Sequence, residues 1–184
     1  TDDQISWDEY GENLFFISNR GNNLTHDHRE YTKEDLLNSS LEQTDIYRLN
    51  ILSKSIQRLT TTDYNESYPF YSNSRNMLGY ISDANGINNI YLKFDSTKTE
   101  IPITNALTGI TQLSWSDATD QLIFTGFNNS GYDIFTIYNP VERIDESINL
   151  VDANWIDKIT DNNLLLRLDN DSNSETSNDE KYIN

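Results

Sequence analysis

Two stretches of this sequence hold residue types whose spacing could do chemistry. His26-Asp27-His28, with Glu30 close behind, sets two imidazoles at i and i+2 among carboxylates, a spacing that lets a loop converge on a divalent metal. Asp83-Ala84-Asn85-Gly86, followed by Asn88 and Asn89, clusters oxygen donors of the kind calcium takes, without the downstream bidentate Glu of a helix-flanked calcium loop. Both stretches read more readily as solvated loop and plain turn than as metal sites. His26 and His28 are the chain's two histidines and sit in a polar run, and Gly86 supplies the positive φ that a hairpin turn needs. The metal candidates are therefore His26, His28, Asp83 and Asn85; no cofactor is expected, calcium being the one exception that the acidic balance would favour.

Covalent catalysis finds less support. Gly-x-Ser-x-Gly, His-Glu-x-x-His and a phosphate-cradling Gly-rich loop are all absent from the sequence. With both histidines in one loop, a Ser-His-Asp arrangement has few bases to draw on. The expectation is a chain that binds or shields and is not an enzyme.

Charge narrows the partners. Asp and Glu number 30 against 13 Lys and Arg, for a formal net charge of −17, and a surface of that sign repels phosphate backbones and anionic membranes. Nucleic acid is not expected as a partner, and the charge leaves solubility, cation attraction or a basic protein partner open. There is no cysteine, so neither disulfides nor thiolate metal sites can form. No apolar run reaches the roughly 18 residues of a membrane helix, so direct membrane insertion of this segment is not expected. The chain opens at Thr1 without an initiator Met, which predicts a piece of a longer or processed parent.

The elements that must position any site come from a repeat. Ile46-Tyr47, Ile90-Tyr91 and Ile134-Phe135 recur every 44 residues, as do Thr60 and Thr104, Tyr71 and Trp115, Leu78 and Leu122, and Tyr80 and Phe124. A fixed period of this length marks stacked supersecondary units. Aromatic and β-branched residues suit pleated surfaces, and each unit splits into four short apolar runs parted by Asn, Asp, Ser and Gly. In the third unit these are Ile110–Trp115, Gln121–Phe127, Tyr132–Tyr138 and a weaker Ser147–Val151.

Trp7 and Tyr71 stand 64 residues apart, so the first unit carries some 20 extra residues, placed within 20–44. There Thr32-Lys33-Glu34-Asp35 resembles a capped helix start, with Leu36, Leu37 and Leu41 as a docking face. The reading is all-β, with three blades of four antiparallel strands over about 1–62, 63–106 and 107–151 and a short helical insertion in the first. Residues 152–184 read as a linker and an acidic, disordered tail, too polar to offset the entropy of ordering.

Leu113-Ser114-Trp115-Ser116-Asp117, then Gln121-Leu122-Ile123-Phe124 and Gly131-Tyr132-Asp133-Ile134-Phe135, resemble the TolB-type (WD40-like) β-propeller repeat. The first unit follows with Trp7, Gly11, Asp45-Ile46-Tyr47 and Leu59-Thr60. The second follows with Ser72, Ser82-Asp83 and Ile90-Tyr91. The usual Pro-Asp-Gly turn is replaced by Asp8-Glu9-Tyr10-Gly11, Asn73-Ser74-Arg75-Asn76 and Ala118-Thr119-Asp120.

The resemblance implies structural roles for Trp7, Tyr71 and Trp115 between neighbouring blades, and for Asp45, Tyr47, Tyr91, Asp133 and Phe135 in the repeat. It also implies an incomplete propeller, since closed rings take typically four to eight blades, with further blades in the parent chain. By the same resemblance the function would be a non-catalytic interaction or scaffold domain of a bacterial cell-envelope protein, in the periplasm or at the outer membrane. The alternative is the substrate-gating propeller of a prolyl oligopeptidase-like serine peptidase whose catalytic domain lies outside this chain. Fold-level likeness is compatible with either function.

Overall fold

A computed structural model describes residues 2–25, 33, 43–144, 148–153 and 155–156. The chain divides into a unit Thr1–Leu150 and a second, Val151–Asn184. The second is described only around Val151–Ala153 and Trp155–Ile156, where the Ile156 N–H donates to the Ala153 carbonyl. Within the insertion, residues 26–32 and 34–42, where the helix is expected, lie outside the described residues, as does nearly all of the tail.

The first unit is three antiparallel meanders. β1 (Asp2–Trp7), β2 (Asn13–Ser18), β3 (Asp45–Asn50) and β4 (Ile56–Arg58) form one sheet in that order. β5 (Glu66–Ser72), β6 (Met77–Ser82), β7 (Asn89–Phe94) and β8 (Glu100–Pro102) form the second, and β9 (Ile110–Ser116), β10 (Gln121–Asn128) and β11 (Gly131–Tyr138) the third.

The expected four strands are present in the first two sheets; the third has three among the described residues. Ile148–Val151 form no strand, and Ser147 lies outside the described residues. The cause is the chain's exit from β11. Asn139 takes the left-handed conformation at φ 49° and Pro140 opens a 3-10 turn, Pro140–Arg143. This carries Val141 and Ile144 onto the core between the second and third sheets instead of along the β11 edge.

Strand alternation explains the two cores. Along β6, Leu78 and Tyr80 point to the first sheet and join Phe15, Ile17 and Ile46. Met77 and Ile81 point the other way and join Phe70, Ile90, Leu92, Ile110 and Leu122. Every residue of β6 is therefore buried, whereas β11 is exposed almost throughout. Successive side chains leave opposite faces of a strand, so the middle sheet, covered on both sides, needs an unbroken apolar run, Met77-Leu78-Gly79-Tyr80-Ile81.

The 44-residue period is visible in individual hydrogen bonds. The Ile46 N–H donates to Thr60 Oγ1 at 2.8 Å and the Ile90 N–H to Thr104 Oγ1 at 2.9 Å, while Leu59 and Ile103 donate back to the carbonyls of Ile46 and Ile90. A threonine at the end of the fourth strand closes each complete sheet by satisfying an N–H that the short strand leaves unpaired. β1 and β5 also bulge alike, with Gln4 at φ 51° and Tyr68 at φ 49°.

Candidate functional site

The candidate site is the pair of interfaces between blades, where the repeat residues converge. Tyr71 stacks on Phe15 of the first sheet with centroids 4.9 Å apart and planes 5° off parallel, and Trp115 stacks on Phe70 of the second at 5.2 Å and 5°. The ends of β5 and β9 thus each lay an aromatic ring on a phenylalanine of the preceding sheet, a contact that contributes beyond its buried area. Trp7, at the same position of the first sheet, is 56% exposed.

The two phenylalanines reach their places by different routes. Ser6 pairs with Phe15 across β1 and β2, while Phe70 pairs with Gly79 across β5 and β6. Large and small have changed strands, yet each pair sets one ring against the next sheet. In the third sheet the pair is Ser114 and Ile123, and Ile123 is 43% exposed.

A polar rung accompanies each ring. The Glu9 N–H donates to Asn73 Oδ1 at 3.0 Å, and the Asn73 N–H donates to Asp117 Oδ2 at 3.1 Å. These three residues occupy one repeat position, 64 and then 44 residues apart, so each blade's side chain caps the turn of the blade before it. Asp117 also accepts from the Ser72 and Ser74 hydroxyls and from Trp115 Nε1. Burial pushes its carboxyl up, but these bonds outweigh burial and hold it below the usual aspartate range.

Asp117→Ala is expected to destabilise the unit by about 2 kcal/mol, the scale of lost hydrogen bonds to a charged acceptor, measurable by urea unfolding. Asp117 ionises more readily when folded, so its contribution is present above the ordinary aspartate pKa and disappears as pH falls through the lowered folded value. The gap between wild type and variant should close on acidification.

The segments Asp45-Ile46-Tyr47, Asn89-Ile90-Tyr91 and Asp133-Ile134-Phe135 lie on the third strand of each sheet. Tyr47 stacks on Phe16, Tyr91 on Tyr80 and Phe135 on Phe124, each pair being direct cross-strand partners. Asp45 is buried and accepts from Arg58 Nη2 at 2.6 Å, yet burial outweighs the guanidinium and pushes its carboxyl up. Its counterpart Asn89 is fully buried and accepts from the Thr104 hydroxyl and the Ala106 N–H. Asp133, on exposed β11, accepts from Asn128 Nδ2.

Of the metal candidates, Asp83 and Asn85 are engaged within their own turn and its neighbours. Both carboxylate oxygens of Asp83 accept from Asn65, at 2.7 Å from its N–H and 3.1 Å from Nδ2, which ties the entry of β5 to the turn after β6. Asn85 Oδ1 accepts from Asn89 Nδ2, and the Gly86 N–H closes the turn on the Asp83 carbonyl with Gly86 at φ 79°. His26 and His28 lie outside the described residues. Among the described residues, no three His, Cys, Asp or Glu side chains gather as a metal site would require, and no helix is long and apolar enough to cross a membrane.

Sequence reasoning missed the ring exchange between β2 and β5 and the exposed face of the third sheet. Ile134 is 77% exposed where Ile46 and Ile90 are fully buried. Tyr132, Tyr138 and Phe127 are exposed with it, so this face adds three aromatic side chains of its own to an isoleucine that neighbouring sheets cover in the other two blades.

No family model and no curated protein matches the chain. Among solved structures, it is similar to a protein assigned as TolB from Agrobacterium tumefaciens, with a TM-score of 0.57 and 16% identity over 76% of this chain and 46% of that one. TolB from Acinetobacter baumannii matches at 0.50 and 13%, over 72% of this chain and 29% of that one. A puromycin-hydrolyzing peptidase of Mycobacterium tuberculosis matches at 0.50 and 12%, over 83% and 22%. The chain spans less than half the length of each of these structures. At such identities the likeness carries the fold alone, which is that of an incomplete β-propeller with TolB-like neighbours.

Proposed function

We propose that this chain is a non-catalytic interaction segment of a bacterial cell-envelope protein of the TolB type, extracytoplasmic and part of a longer parent. The observation that carries the reading is the third sheet's face, which exposes Ile134 although the same position is sealed by a neighbour in the first two sheets. A surface of that kind costs solvation unless protein covers it, and the repeat supplies the cover: a further blade of the same parent seated as the third blade sits on the second. The absence of a nucleophile-elbow motif, with two histidines confined to one loop, supports a binding role over a catalytic one.

A photo-crosslinking residue placed at Ile134 in the parent, within the bacterial envelope fraction, is expected to yield an internal crosslink to another blade. No protein crosslink from that position would overturn the proposal. The likeness to a peptidase favours one second reading, a propeller that gates a hydrolase. Peptide cleavage by the parent, abolished by a point substitution within this chain, would move the assignment there.

A further inference from the structure

The cleft between the first and second sheets gathers cations on an otherwise acidic molecule. About 290 Å³ in volume, it is lined by Arg48, Arg58, Lys93 and Lys98 around Tyr71, with Phe15, Leu59 and Leu78 as apolar walls. Four of the chain's 13 cationic side chains meet there with one of its 30 acidic ones, Asp95.

The blade framework does not call for these charges. One period away, Arg48 is matched by Leu92, Arg58 by Pro102 and Lys93 by Leu49; only Lys98 has a cationic counterpart, Lys54. Three cations have therefore been set where the repeat does without them.

Their donors are only partly used. Arg48 donates to Gln57 Oε1, a neutral acceptor, at 2.6 Å. Arg58 spends Nη2 on Asp45 and Nη1 on Asn22, while its Nε is buried with no acceptor among the described residues. Lys93 donates to the Leu59 carbonyl and to Glu100, and Lys98 faces Asp95 at 3.7 Å in an exposed pair. A guanidinium offers five donors and an ammonium three, and an exposed ion pair of that length is cheaply exchanged.

We infer that this cleft is a binding site for a small oxyanion, carboxylate or phosphate, held by Arg48 and Lys98 with Arg58 and Lys93 behind them. The volume is at the lower end for ligand sites, enough for a single acidic group and a few attached atoms. Apolar walls strengthen each charged contact by lowering the local dielectric. The remaining acidic surface weakens as a deterrent beyond a Debye length of about 8 Å at physiological salt.

Inorganic phosphate titrated into the full chain at constant ionic strength, followed by calorimetry, tests the assignment. Saturable one-site binding is expected, weakened roughly tenfold by Arg48→Gln, the loss of one charged hydrogen bond. Lys98→Gln, an exposed position that leaves the fold alone, should weaken binding as well. Lys54→Gln removes the same charge outside the cleft and should leave binding unchanged. Linear, unsaturable heats, or equal losses in the Lys98 and Lys54 variants, would overturn the site. Two further arms separate the sources of the oxyanion. A short peptide with a free C-terminal carboxylate that outcompetes phosphate, while its amidated form does not, assigns the cleft to a peptide terminus. Phosphate that binds more tightly than either peptide assigns it to a free anion.

Discussion

Gly79→Ala is expected to lower the stability of the chain by about 3 kcal/mol, the upper range for overpacking a tight core. A Cβ at Gly79 would stand 2.0 Å from Phe70 Cζ and 2.2 Å from Cε1, well inside any tolerable contact. The ring has no easy retreat, because Phe70 is itself stacked on Trp115 of the third sheet. Relief would have to come from parting the second and third sheets or from turning Phe70 off its rotamer, and both loosen the larger of the two cores.

The first sheet supplies the rescue. There the small residue is Ser6 on β1 and the ring is Phe15 on β2, so Phe70→Ser combined with Gly79→Phe rebuilds that arrangement in the second sheet. Phe70→Ser alone removes a buried ring and should cost about 3–5 kcal/mol. Gly79→Phe alone should unfold the sheet. The double variant is expected to be more stable than the sum of the two single effects by at least about 2 kcal/mol, the coupling of residues in direct contact. Chemical denaturation of all four proteins measures it, and strict additivity would refute the exchange.

This pair also shows where the sequence is readable and where it is not. The period of 44 can be found because Ile46, Ile90 and Ile134, or Thr60 and Thr104, keep their type at a fixed position. Burial of Ile46 and Ile90 and closure of a short strand by Thr60 and Thr104 admit few alternatives there. The inter-blade rings defeat the same search. Phe15 corresponds in position to Gly79, and Phe70 to Ser6, so an offset comparison scores two mismatches where the physical contact is preserved.

What could have signalled the exchange is the glycine itself. A Gly in the middle of an apolar strand marks a close approach by something bulky, and Phe70 lies directly across from it. The polar rung hid for a related reason, because Glu9, Asn73 and Asp117 differ in type while sharing a task. That the third sheet has no fourth strand among the described residues turns on Asn139 and Pro140, a local breaker pair that outweighs a weak alternation further on. The cationic cleft draws on residues 48, 58, 93 and 98. It takes shape only when two sheets are in register.

Raising the pH from about 4.5 to 7 should cost the wild-type chain stability chiefly at Glu66. Its side chain is 1% exposed at the entry of β5, between the first and second sheets. Burial pushes its carboxyl up to about 7, more than the Thr60 and Thr62 hydroxyls that donate to it can offset, and Asp45 and Glu100 add repulsion. The folded chain therefore holds a proton at Glu66 that the unfolded chain, with an ordinary glutamate, has released by mid-range pH. Where the native state binds more protons than the unfolded state, stability falls as pH rises, and the loss is complete above the folded value.

A shift from 4.5 to about 7 corresponds to ~3 kcal/mol at neutral pH and above. Glu66→Gln keeps the shape and an acceptor for either threonine while abolishing the ionisation. The variant should match wild type near pH 4, where Glu66 is protonated in both states, and exceed it by ~3 kcal/mol at pH 8. Asp117 does not mask the effect, since its carboxyl is held low and titrates below this window. Urea unfolding of both proteins at four or five pH values reads the difference directly. A gap between them that stays constant from pH 4 to 8 would rule out Glu66 as the group responsible. If it opens as expected, the first and second sheets are joined through a carboxylic acid that is neutral in the native state, with the Ile46 N–H, the Thr60 hydroxyl and Glu66 linked in one chain of hydrogen bonds.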